Sequence, residues 1–458
     1  MTLIKSISGI RGTIGGTPGE NLTPIDVVRF AAAYAEWLKL RNNGKRCLVV
    51  VGRDARISGE MVSGIVIGTL TGCGIDVLNI GLATTPTVEM AVILEKADGG
   101  IILTASHNPR QWNALKLLNE KGEFLSDTDG KKVLEIAEKE SYNFADINSI
   151  GVVEDEYSYV DEHINQILKL KYVDAKAIEQ ANFKVAIDCV NSVGGIALPR
   201  LLRALGVKDI IELYTEPTGD FPHNPEPLPE HLSEISRVMR EQKAHVGFVV
   251  DPDVDRLAIV NEDGTMFGEE YTLVACADFV LKQNLGNTVS NLSSTAALRD
   301  ITQKYHKEYF ASAVGEVNVV TKMKEVNAAI GGEGNGGVIL PDLHYGRDAL
   351  VGIALFLSHL AQSGKKCSEL RAEYPNYFIS KNKIELKPTI NPDSVLTRLQ
   401  EKFASEKLNT VDGLRIDFAD GWVHMRKSNT EPIIRIYAEA KTPERANQLA
   451  QMIIAEAH

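Results

Sequence analysis

GGIILTASHNPRQWNALKLLN, residues 99–119, opens as a buried strand and then breaks sharply. Ile101, Ile102 and Leu103 form a short apolar run behind a glycine pair. Asn108-Pro109 is a turn signal, and a proline cannot donate to a sheet ladder. Between strand and turn stand Thr104, Ala105, Ser106 and His107. A small hydroxyl residue is thereby held at the carboxyl end of a strand, where open α/β sheets place ligands. Lys116 follows among Leu115, Leu117 and Leu118, and a lysine in an apolar strand is costly unless its charge is used. One reading is a serine nucleophile with an imidazole beside it and an amine that carries protons. The other is a polar turn with a lysine that snorkels out of an edge strand.

Working outward, 458 residues exceed what one core supports, so several domains are expected. Apolar residues make up 44% and charged residues 24%, the composition of a globular chain. The net charge of −12 argues against binding nucleic acid or an anionic membrane, and leaves room for a local basic pocket. No apolar run reaches membrane-spanning length and no signal peptide is read at the amino terminus. Cys47, Cys73, Cys189, Cys276 and Cys367 show no zinc spacing and read as reduced core thiols, so the cytoplasm is expected.

The amino-terminal SGIRGTIGGTPG is glycine-dense and reads as a loop, with Arg11 able to approach an anion or simply to sit solvated. Residues 24–40 carry apolar positions at helical spacing. CLVVVGRDAR, FKVAIDCVNSVGG and NTVSNLSSTAAL each read as a strand, a polar turn and a helix. They predict related α/β domains in tandem. Composition places boundaries that give domains at 1–150, 151–256, 257–370 and 371–458. The five prolines of residues 216–232 exclude regular structure there.

In HVGFVVDPDVDRLAIV a buried strand runs into Asp251, Asp253 and Asp255. Three alternating carboxylates repel one another unless a cation joins them, and oxygen ligands suit Mg²⁺. Arg256 follows and can pair with a carboxylate or reach a phosphate. The rival reading is the Asp-x-Asp strand end of haloacid-dehalogenase phosphatases, with Asp251 as nucleophile. Further on, GGEGNGG sets Glu333 and Asn335 in a glycine loop, which suits sugar hydroxyls better than phosphates. The last segment reads strand, helix, two strands, the loop RKSNTEP, a strand and a final helix. Arg426, Lys427, Ser428, Asn429 and Thr430 crowd donors into that loop as a phosphate would need, and Arg435 on the next strand adds to the case.

Four separated motifs, TASHNP with its following lysine, DPDVDR, GEGNGG, and RKSNTEP before IIRIYAEA, resemble the α-D-phosphohexomutase superfamily. That superfamily includes phosphoglucomutases, phosphomannomutases and phosphoglucosamine mutases. The resemblance covers essentially the whole chain. It implies three tandem related α/β domains with mixed sheets between helices, plus a smaller and mobile α+β C-terminal domain. It implies a covalent phosphate on Ser106, one Mg²⁺ per chain held by Asp251, Asp253, Asp255 and that phosphoserine, and a sugar bisphosphate as intermediate and activator. Arg11, His107, Lys116 and Arg256 fall around the transferred group. Glu333 and Asn335 fall at the sugar hydroxyls, and Arg426, Ser428, Asn429 and Thr430 at the phosphate that does not react. Cations and metal near Lys116 are expected to lower its pKa and fit it to relay the hydroxyl proton.

Two departures bear on the substrate. Many members read Gly-Glu-x-Ser-Gly-His where this chain has Asn335 and Gly337. Some hexose mutases carry a histidine after Gly315, where this chain has Glu316. Both look like the archaeal-type phosphoglucosamine mutases, and the expected substrate is glucosamine phosphate, with mannose or glucose phosphates as the alternative. The expected protein is a monomer or homodimer acting on small sugar phosphates. The rivals of another class are a dehalogenase-type phosphatase and a sugar-phosphate-binding protein without turnover.

Overall fold

A computed structural model describes residues 2–6, 9–385, 391–427 and 433–457. Two compact units form, Met1–Phe279 with Asn335–Arg371, and Val280–Gly334 with Ala372–His458. The first unit is built on a seven-stranded mixed sheet. Its order is Ile4–Ser6, Gly9–Thr13, Trp112–Leu118, Gly99–Leu103, Leu48–Arg53, Asp76–Leu82 and Val153–Asp155. The predicted strand and the lysine-bearing segment are antiparallel neighbours, with Ile102 opposite Lys116. Arg11 lies on the Gly9–Thr13 strand, paired with Ala114. The loop read there is corrected: two antiparallel partners organise a glycine-rich segment that local signals assign to a turn.

Strand alternation divides the core. Val49, Val51, Ile101, Leu103, Leu115 and Leu117 face one layer, with Val27, Phe30 and Leu38 of the Pro24–Arg41 helix. Val50, Ile102 and Leu118 face the other, with Val88, Ala91 and Val92 of the Thr85–Glu95 helix. Each such fully buried Val, Leu, Ile or Phe side chain contributes about 1.5–3 kcal/mol. The first helix starts where Thr23 and Asp26 form a reciprocal capping box. The five cysteines are buried and unbridged, as expected.

A four-stranded sheet in the same unit has the order Leu257–Asn261, Val246–Val250, Lys184–Asp188, Asp209–Leu213. Leu257–Asn261 returns antiparallel to Val246–Val250. The sheet therefore runs past residue 256, and the first sheet likewise takes a strand from beyond 150. Among the described residues no helix is long and apolar enough to cross a membrane.

In the second unit Tyr309–Ser312, Asn287–Asn291 and Ala328–Glu333 lie parallel in that order. A five-stranded antiparallel sheet follows, ordered Phe378–Glu385, Ile433–Ala440, Gly421–Lys427, Leu414–Phe418, Lys407–Asn409. Ile384, Ile416, Val423, Met425, Ile434 and Ile436 bury one face of it with Leu449 and Ile453 of the Pro443–Ala457 helix.

Candidate active site

Ser106 sits just past the end of the Gly99–Leu103 strand with φ +49°, a left-handed conformation that an ordinary residue holds only when its surroundings enforce it. The enforcement is visible. Ser106 N donates to Thr104 Oγ1 at 2.9 Å, and Thr104 Oγ1 donates to Asp54 Oδ2 at 2.6 Å. Arg56, 1% exposed, pairs with Asp54 at 3.0 Å. Its guanidinium also donates to the carbonyls of Ser106 (2.5 Å), Asn108 (2.7 Å), Pro109 (2.8 Å) and Trp112 (2.9 Å). Arg56 thus clamps the serine turn. The sequence reading passed over it, although a charged Asp-x-Arg directly after a buried strand was the available signal.

The Ser106 hydroxyl donates to Asp251 Oδ2 at 2.8 Å and stands 3.2 Å from His107 Nδ1. Asp251, Asp253 and Asp255 are fully buried, with one carboxylate oxygen from each gathered within 4.8 Å. Asp251 Oδ1 takes the N–H groups of Asp255 and Arg256. Asp253 Oδ2 accepts from Thr85 Oγ1 at 2.6 Å and Lys116 Nζ at 2.7 Å. Asp255 Oδ2 accepts from Arg347 at 2.7 Å. Asp253 Oδ1 and Asp255 Oδ1 are buried without a hydrogen-bond donor. Buried carboxylate oxygens left bare in this way fit a hard divalent cation. The turn is tight, with Val254 at φ +63° and its carbonyl accepting from Ala349 N at 3.1 Å.

Electrostatics follow from this packing. Burial and the neighbouring Asp253 and Asp255 push the Asp251 carboxyl well above the usual range. Burial also raises Asp253, but Lys116 and Thr85 outweigh it and hold that carboxyl below the usual range. Burial depresses the Lys116 amine, yet Asp253 and Asp255 outweigh it and the net shift is upward. The expected lowering is not seen with the aspartates bare, where the carboxylates outweigh Arg347 around this amine. Burial and then Arg256 push His107 down to about 2, so its ring is neutral. Burial and Arg256 also lower Arg11. Arg256 Nη1 lies 3.2 Å from Glu226 in the proline-rich loop, and its Nε is buried without an acceptor. A buried arginine depressed by a second cation beside it fits an anion such as a phosphoryl group.

GEGNGG is less bare than the sequence implies. In the first unit Asn335 Oδ1 accepts from Gly337 N at 3.3 Å. Gly336, at φ +86°, stands where a Cβ would lie 2.3 Å from Leu257 O, so only glycine lets this turn close on the strand after the aspartates. In the second unit Glu333 ends a strand and is 4% exposed. Its Oε1 accepts from Asn291 Nδ2 at 2.8 Å and Gly315 N at 3.1 Å. Glu316 is the next residue, buried in the first turn of the Glu316–Glu325 helix.

Arg426 and Lys427 lie on the Gly421–Lys427 strand, not in a loop. Arg426 faces Arg435 across the sheet, and Arg435 faces Lys383 on the next strand. Like charges directly opposite are destabilising without an anion between them. Arg426 Nε is 2.8 Å from Asp412 Oδ2, which also accepts from Val314 N at 3.0 Å. Ser428, Asn429 and Thr430 lie outside the described residues.

Comparison with known proteins gives four consecutive matches to phosphoglucomutase/phosphomannomutase domains. The α/β/α domains I, II and III match residues 3–144, 161–264 and 268–377, and the C-terminal domain matches 391–456. A Thermococcus kodakarensis protein described as phosphoglucomutase/phosphomannomutase is 36% identical over 447 residues, covering 96% of each chain. A Sulfurisphaera tokodaii phosphoglucosamine/phosphogalactosamine mutase is 32% identical over 451 residues, again covering 96% of each. A solved phosphoglucomutase/phosphomannomutase family protein from Burkholderia thailandensis superposes with a TM-score of 0.84 at 26% identity, covering 99% of this chain and 97% of that one.

Proposed function

The chain belongs to the phosphoglucomutase/phosphomannomutase family of phosphohexomutases, which are isomerases, and from that premise we propose that it interconverts glucosamine 6-phosphate and glucosamine 1-phosphate through a phosphorylated Ser106. The observation that carries this reading is the Ser106 hydroxyl, 2.8 Å from one carboxylate of a buried aspartate triad that carries two bare oxygens. Phosphorylated Ser106 gives its phosphoryl group to the free hydroxyl of a sugar monophosphate. The P–Oγ bond breaks, a P–O bond to the sugar forms, and the hydroxyl proton passes to a base. The bisphosphate turns over and returns its other phosphoryl group to Ser106.

Asp251, Asp253 and Asp255 would hold Mg²⁺, which supplies charge neutralisation at the phosphoryl oxygens. Arg11 and Arg256 orient and neutralise the same group. His107, neutral and 3.2 Å from Ser106 Oγ, is too weak a base to hold a proton and is placed to orient the serine oxygen. Lys116, held protonated, is placed to donate one to the departing oxygen. Arg426 and Arg435 take the phosphate that does not react.

The sugar assignment rests on Glu316 and Glu333, joined in sequence and space through Gly315. A cationic C2 amine gains about 1.5–3 kcal/mol from a charge-assisted bond to such a carboxylate, enough for preference rather than exclusion. The second reading, glucose and mannose phosphates in the same site, is favoured by the description of the 36% identical relative. The phosphatase and non-catalytic readings are not retained, since family membership accounts for all four motifs. Comparing kcat/KM for glucosamine, glucose and mannose 1-phosphates tests the assignment. A preference of about tenfold, 1.4 kcal/mol, for either neutral sugar overturns it.

A further inference from the structure

Beside the aspartate turn lies a second buried cluster that none of the chemistry above uses. His163, His344, Asp348 and Glu89 are each at most 4% exposed. Asp348 Oδ2 faces His163 Nε2 at 3.0 Å and His344 Nε2 at 3.3 Å. His344 Nδ1 lies 3.3 Å from Glu89 Oε2, and His163 Nδ1 lies 3.1 Å from Thr87 Oγ1. The other three ring nitrogens face hydrogen-bond partners, while His344 Nδ1 stands at ion-pair distance from the Glu89 carboxylate without a hydrogen bond. His163, His344 and Asp348 could gather three ligands, but a His344 ring with carboxylates on both sides favours the imidazolium, which has no lone pair for a metal, and we read the cluster as an ion network.

The network's neighbours in the chain are the anchors of the aspartate turn. Asp348 caps the Ala349–Ser363 helix through Leu350 N and Val351 N. The residue before it, Arg347, donates to Asp255 Oδ2 at 2.7 Å, and the residue after it donates to Val254 O at 3.1 Å. Glu89 stands one helical turn beyond Thr85 on the same face. Thr85 donates to Asp253 twice, from Oγ1 at 2.6 Å and from N at 2.9 Å. Four hydrogen bonds to the turn thus come from two segments, and those segments are tied to each other through His344.

We propose that Glu89, His344, Asp348 and His163 are positioning residues that set the divalent-cation affinity of the Asp251–Asp253–Asp255 turn by fixing Thr85 and Arg347 against Asp253 and Asp255. The inference rests on the metal reading given above. The contacts of the four given above run among themselves and to Thr87, Leu350 and Val351. They act through the groups that orient the ligand oxygens, and such supporting contacts are worth about ten- to a hundredfold in metal affinity.

The test is Mn²⁺ binding to chelator-stripped full-length protein, read from the signal of free Mn²⁺ in electron paramagnetic resonance. Wild type, Glu89→Gln and His344→Gln are compared after circular dichroism has shown them folded. Wild type should bind one ion per chain, and the variants should bind it at least about tenfold more weakly. At saturating metal their KM for sugar phosphate should stay within about twofold of wild type, a split that a general loss of structure would not produce. Gly346→Ala carries the same test where a charge change prevents folding. Its methyl would lie 1.8 Å from Glu89 Oε2 and displace that carboxylate with all four residues kept. Folded variants with unchanged Mn²⁺ affinity overturn the inference and leave the metal assignment standing. A wild type that binds no Mn²⁺ overturns both. Two ions per wild-type chain, one lost in His344→Gln, would make the cluster a metal site and also overturn it.

Discussion

A serine can be read from a motif, but its backbone angle cannot. Ser106, Lys116 and the three aspartates were legible because each terminates or interrupts an apolar strand, where an idle polar group is expensive. Arg56 was not, because its work is done against carbonyls 50 to 56 residues away, which no local pattern encodes. Replacing Ser106 by Ala should lower turnover by several orders of magnitude and leave the denaturation midpoint close to that of wild type. Intact-protein mass before and after phosphatase treatment should differ by one phosphate in wild type only. Arg56→Ala should instead cost about 3–5 kcal/mol of stability in urea titration, because it abandons buried Asp54 and frees four carbonyls at once. An Arg56→Ala protein with normal stability and normal activity would refute the clamp.

At the scale of elements, periodicity and capping located the helices well, as with Pro24–Arg41, where proline, threonine and aspartate mark the start. Strand extents misled, because glycine-rich residues 9–13 and the cationic end of Gly421–Lys427 owe their extension to sheet partners. The second of these bears on the phosphate site proposed above. Lys383, Arg435 and Arg426 form a row of opposed cations across three strands. Arg435→Ala should weaken sugar-phosphate binding by about ten- to a hundredfold through one lost charge-assisted contact. It should leave phosphate on Ser106 intact by mass. Binding of an unphosphorylated sugar should be indifferent to the change, and an equal loss for both ligands would remove the basis for the assignment.

For the whole molecule, the class of fold was legible because the same strand–turn–helix pattern recurs along the chain, while the borders were less so, since Val153–Asp155 and Leu257–Asn261 join sheets built mostly before them. Metal should stabilise the folded chain by mass action, about 2.7 kcal/mol at a hundredfold excess over the dissociation constant, and Asp253→Asn should lose most of that gain in a thermal scan with and without Mg²⁺. Stability should also depend on His344. Burial lowers its pKa, but Asp348 and Glu89 outweigh burial and raise it from 6.5 to about 10. A raised folded-state value means that the stabilisation is complete below about 6.5 and lost as pH climbs through about 10. The urea-stability gap between wild type and His344→Gln should therefore narrow between pH 7 and pH 10.5, and a gap that widens would contradict the pairing. The row of cations at Lys383, Arg435 and Arg426 carries one more consequence. Holding the unreactive phosphate as proposed, it would answer to charge and size in the anion and make no demand on the carbon skeleton behind it. The choice of buffer then becomes a variable of the enzyme itself: inorganic phosphate or sulfate should occupy the row, compete with every sugar phosphate alike, and make a rate recorded in phosphate buffer lower than one recorded at equal ionic strength in a zwitterionic buffer.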